Sequence, residues 1–66
     1  MNNQWIRIFS STNFPQATII KGMLEENHVP VTLVNKQDSS YINFGEIELY
    51  VPKQYKEVAI GLIGEE

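Results

Sequence analysis

The run "EIELYV", residues 46–51, alternates without a break: Ile47, Leu49 and Val51 on one face, Glu46, Glu48 and Tyr50 on the other. A period of two marks a strand with one buried and one open face. Pro52 closes it and opens a helix, because the apolar period then changes. Tyr55, Val58, Ala59, Leu62 and Ile63 recur at i, i+3, i+4, i+7 and i+8, with Gly64 as a C-terminal stop. An amphipathic strand and an amphipathic helix must each bury one side, so the remaining residues have to build the layers that cover them.

They carry the same two periods. In "QWIRIFS" Ile6 and Ile8 fall on one face and Trp5, Arg7 and Phe9 on the other, which predicts a strand over 4–10. "SSTNFP" supplies a helix start: Thr12 or Asn13 can accept a bond from an orphan N–H, and Pro15 is tolerated in the first turn. Ala17, Ile20, Met23 and Leu24 then follow helical spacing, with Lys21, Glu25 and Glu26 outside, so a helix is expected over about 14–26. "NHVP" ends it, since a residue before proline avoids helical geometry. In "VPVTLVN" Val31 and Leu33 alternate with Thr32 and Val34, and Pro30, which cannot donate to a ladder, fits only the start or the edge of a strand.

The order is βαββα. A right-handed βαβ crossover followed by an antiparallel return puts the third strand between the first two. The expected fold class is α+β: a split βαβ, or truncated ferredoxin-like plan, with a three-stranded antiparallel sheet in the order 1-3-2 and both helices on one face. Residues 1–66 then form a single domain, with Ile6, Ile8, Val31, Leu33, Ile47, Leu49 and Val51 meeting the helices.

Composition narrows function by exclusion. The chain has no cysteine, hence no disulfide framework and no thiolate, and a reducing cytoplasm is the expected setting. "MNNQWIRIF" lacks the basic and apolar regions of a signal peptide, and no apolar run approaches the ~20 residues of a membrane span. Net charge is −3, which disfavours a phosphate-coated partner. His28 is the single histidine and has no second histidine or cysteine to join it as a metal ligand. Glu25 and Glu26 are adjacent on a helix and point apart. Glu46 and Glu48 share a strand face but no visible pocket. No catalytic, cofactor or metal residues are expected, and the chain reads as a non-enzyme.

With these elements placed, "FSSTNFPQATIIKGMLEENHVPVTLVN" and "GEIELYVPKQYKEVAIGLI" resemble DUF2007, a family of small prokaryotic domains described as signal-transducing. The resemblance runs from Trp5 to about Ile63, and its most specific parts are "KGMLEENHVP" and "IELYVP". It implies the same small α+β fold and brings no catalytic or ligand residues to carry over. Where such domains commonly place a glycine after the first helix, this chain has Asn27 and His28, two of the residue types that best tolerate positive φ. The family is also similar in fold to the nitrogen-regulatory signal proteins, nucleotide-binding trimers whose Gly-rich phosphate cradle has no counterpart here.

Two surfaces remain as candidates. The outer sheet face should carry Trp5, Arg7, Phe9, Thr32, Val34 and Tyr50, an aromatic-rich patch. Such a platform can stack RNA bases, but Glu46 and Glu48, with only Arg7 to offset them, would repel the phosphate chain, so the patch suits self-association. The second surface is residues 36–44, too long for a minimal hairpin turn. Lys36, Asp38, Ser39, Ser40, Tyr41 and Phe44 offer charge, hydroxyls and an apolar anchor. As an extended hairpin the stretch is only structural; as a loop on a rigid sheet it is a recognition site, and by analogy the nitrogen-regulatory proteins dock partners through the corresponding loop. The expected function is a non-catalytic binding or regulatory module for a protein partner or small effector, without cofactor, nucleic acid or membrane. It is expected to form a dimer through the first strand's edge. The alternative is a structural or assembly domain without a ligand.

Overall fold

A computed structural model of the chain describes residues 4–36 and 45–64. The elements are β1 (Trp5–Ser11), α1 (Phe14–Glu26), β2 (Thr32–Lys36), β3 (Glu46–Pro52), a 3-10 turn (Lys53–Tyr55) and α2 (Lys56–Gly64). The domain is a small α+β unit in which β3 lies between two antiparallel neighbours, in the order β1-β3-β2.

β3 is central because its alternation is the most complete. Ile47, Leu49 and Val51 are buried and join Ala17, Ile20 and Leu24 of α1, Val29, and Ala59 of α2 as the buried core. Ile8, Phe9, Met23, Val31, Leu33, Tyr55, Leu62 and Ile63 pack partly buried around it. Val58 does not join them and stays 52% exposed. On a helix Tyr55, Leu62 and Ile63 fall within about 60° of Ala59, whereas Val58 is about 100° away and misses the stripe.

β1 departs from strict alternation. It pairs with β3 as Trp5–Pro52, Ile6–Val51 and Arg7–Tyr50, then shifts register and continues as Phe9–Leu49, Ser10–Glu48 and Ser11–Ile47. Ile8 is the extra residue of a β-bulge, which lets two consecutive apolar side chains, Ile8 and Phe9, both face the core. The expectation that Phe9 shares the outer face with Trp5 and Arg7 is therefore corrected. A one-residue insertion flips every side chain beyond it.

α1 begins as the residues suggest. Asn13 is the N-cap, its Oδ1 accepting the Gln16 N–H at 3.1 Å, with Pro15 in the first turn. Its C-terminus is a Schellman turn: the Val29 N–H donates to Leu24 O at 2.9 Å and the His28 N–H to Glu25 O at 3.0 Å. His28 takes φ 64, the position where glycine carries no steric cost. His28→Gly should thus stabilise the domain by about 0.5–1 kcal/mol, a rise of a few degrees in the thermal midpoint. Thermal unfolding followed by circular dichroism checks this. A lower midpoint would mean that the His28 side chain holds something that this exposed position does not reveal.

Candidate functional site

The outer face of the sheet is assembled by pairing across three strands. Antiparallel register sets Thr32 beside Tyr50, Val34 beside Glu48 and Lys36 beside Glu46, while β1 contributes Trp5, Arg7 and, beyond the bulge, Ser10. The face divides into an apolar half and a charged half.

Trp5, Thr32, Val34 and Tyr50 line a shallow, open depression of about 460 Å³. Trp5 is 45% exposed there, the largest side chain that β1 leaves uncovered. The neighbouring half centres on Glu48, which is only 3% exposed although it lies on the face away from the core. It is covered because β3 is the middle strand and the side chains beside it fold over it. The Tyr50 hydroxyl donates to Glu48 Oε1 at 2.8 Å, and Arg7 Nη1 donates to Oε2 at 3.1 Å. Lys36 Nζ stands 3.9 Å from the same Oε2.

This network sets the protonation states. The hydrogen bond from Tyr50 is the main reason that the Glu48 carboxyl lies below its ordinary range. Burial opposes it, and the Arg7 hydrogen bond and the Lys36 and Arg7 charges add to it. The Tyr50 phenol is pushed above its ordinary value, first by that bond to Glu48 and then by burial. A general base or acid works best when poised near neutral pH, and both groups move away from it. The arrangement holds a carboxylate under two cations and a hydroxyl.

The consequence for stability has a defined sign. The Glu48 contribution is present above the unfolded carboxylate range, about pH 4.3, and is lost as pH falls through the lower folded value. The Tyr50 contribution is present below about pH 10 and is lost as pH rises through the higher folded value. Between those limits the contribution of the pair should be constant with pH. Urea midpoints of the native chain and of Glu48→Gln, compared across pH, should differ on the plateau and converge in acid. A gap that persists undiminished to acid pH would show that the charge of Glu48 contributes nothing.

Of the residues singled out by sequence, the structure brings together Trp5, Arg7, Val34 and Tyr50, and adds Lys36, which sequence reasoning assigned to the loop alone. Phe9 lies on the other side. Asp38, Ser39, Ser40, Tyr41 and Phe44 lie outside the described residues. Glu48 was missed as the centre of the face. Its signal was available in the alternation of β3, because a carboxylate on the middle strand of a three-stranded sheet is flanked from both sides. Among the described residues no group of three or more His, Cys, Asp and Glu is placed to hold a metal ion, and no helix is long and apolar enough to cross a membrane. Comparison with models of protein families, with curated proteins and with solved structures finds no match to this chain.

Proposed function

We propose that this chain is a non-catalytic binding or regulatory module, a signal-transducing domain of the DUF2007 kind, that recognises a protein partner or small effector through the outer face of its sheet. The carrying observation is an exposed tryptophan beside an apolar depression and a hydrogen-bonded Arg7–Glu48–Tyr50 cluster. Trp, Tyr and Arg are the residue types that dominate binding energy at interfaces, and here all three share one sheet face. A cytoplasmic setting and the lack of a cofactor belong to the same proposal.

The finer architecture proposed is the split βαβ, a ferredoxin-like plan without its last strand, with both helices on one side. Two observations support it. Ile20 and Leu24 of α1 share one core cluster with Ala59 of α2 and with Leu49 and Val51 of β3. The thinnest dimension, 15 Å, suits one sheet and one layer of helices. Residues 36–44 are proposed as a second contact, rooted in the face through Lys36.

The alternative, an assembly domain without a ligand, is favoured by the same exposed Trp5. The bulge in β1 and Pro30 before β2 are features that discourage edge-to-edge pairing, so the sheet face replaces the first-strand edge as the proposed contact. The test uses the chain as bait in a cell lysate, beside Thr32→Glu and beside a triple alanine variant of Asp38, Ser40 and Tyr41. Loss of a recovered protein with Thr32→Glu supports the face; loss with the triple variant alone transfers recognition to the loop. Recovery that is equal on all three baits rejects both.

A further inference from the structure

We infer that the occupant of the outer sheet face is a second copy of this chain, packed face to face about a two-fold axis through the Trp5–Thr32–Val34–Tyr50 depression. This rests on the reading of that face as the recognition surface and names what it recognises.

Charge is the first argument. The chain carries −3 overall, yet among the described residues the face carries two cations, Arg7 and Lys36, against two anions, Glu46 and Glu48. A neutral surface on an acidic domain is one that a like-charged copy can approach without repulsion, whereas a strongly charged partner finds no net attraction there. The carboxylate at its centre is already bonded to Arg7 and Tyr50, so covering it leaves no buried charge unpaired.

Geometry is the second. An isologous contact needs one patch that fits itself, and Trp5 both lines the depression and leaves 45% of its surface free to be covered there. Two sheets stacked about 10 Å apart would cover both tryptophans with the apolar half of the opposite face. Among the described residues, neither helix presents a second exposed apolar pair on one stripe. Phe14 and Ile19 are five positions apart on α1, and Val58 and Ile60 two apart on α2, spacings that put neither pair on one helical stripe.

Size then sets the strength. Three strands of at most seven residues give a face of roughly 14 Å by 23 Å, about 300 Å², by strand spacing and rise. A standard interface takes about 800 Å² from each partner, so the dimer should be weak and in rapid exchange, with a Kd of about 10–500 µM.

The chain contains one tryptophan, so Trp5 reports its own burial. Sedimentation of the full chain from about 10 µM to about 1 mM should show the average mass rising from monomer towards dimer, and Trp5 emission should shift to the blue with the same midpoint. Thr32→Glu should abolish both changes while leaving the far-ultraviolet dichroism native. Trp5→Ser, at an already exposed site, should weaken association at least about tenfold and serves if Thr32→Glu fails to fold. Ile19→Glu on α1 should change neither. The inference is overturned by a monomer throughout the range, by a dimer indifferent to Thr32→Glu and Trp5→Ser, or by a dimer that Ile19→Glu dissolves. A monomer whose bait still loses a recovered protein with Thr32→Glu would sink the self-association and leave the binding face standing. Association through the face with recovery unaffected by Thr32→Glu would do the reverse to the partner reading.

Discussion

Leu49→Ala should leave a large part of the population unfolded at 25 °C. Leu49 has no exposed surface, sits on the middle strand and touches the core contributed by both helices. Truncating a buried leucine removes its transfer free energy and leaves a cavity, together about 3–5 kcal/mol. A single core in a chain this short supplies about 3–5 kcal/mol of net stability, so the loss is comparable with the whole. Urea titration by circular dichroism should show a midpoint near zero denaturant, or no transition. A midpoint shifted by less than about 0.5 kcal/mol equivalent would place the core elsewhere.

Phe9→Ala should cost far more than Trp5→Ala, although simple alternation puts the two residues on the same face. Phe9 is opposite Leu49 and packs against the core, so truncation should destabilise by about 2 kcal/mol. Trp5 is 45% exposed on the open face of a dilute monomer, and its truncation should cost under about 1 kcal/mol. Denaturant midpoints at low protein concentration decide between the two registers of β1. Equal costs, or the reverse order, would mean that the bulge at Ile8 does not form in solution.

Most of the architecture was legible because the apolar residues of each element recur at a strand or helix period, broken only at the β1 bulge. β3 and α1 were read almost to the residue: the 46–51 alternation became Glu46–Pro52, and the 14–26 stripe became Phe14–Glu26. Their ends are marked by residues with local mechanisms, Asn13 as cap and the two prolines as stops. The positive φ at His28 was likewise a local matter, decided by the need to reverse direction between Leu24 and Val29. α2 was read correctly except at its margin, where Val58 matched the spacing rule but lies too far round the helix to be covered.

The outer face was legible only in part. Trp5, Arg7, Val34 and Tyr50 were assigned to it from alternation alone, because side-chain direction in a strand follows position parity. Phe9 was misassigned, because a bulge changes the parity and leaves no mark in a run of apolar residues.

The sequence by itself determined which segments are strands and which are helices, their order, and the face of β3 that turns inward, because these depend on propensity and period within a few residues. Only the tertiary structure decided the rest. The bulge depends on which partner β1 meets, since Ile8 and Phe9 can both be buried only against a core already formed by β3 and the helices. The closure of Arg7, Tyr50 and Lys36 over Glu48 depends on the pairing register of two different strands, 41 positions separating Arg7 from Glu48. The alternation of β3 marks Glu48 as flanked, but which side chains reach it is settled only once the sheet has brought distant residues within hydrogen-bonding distance.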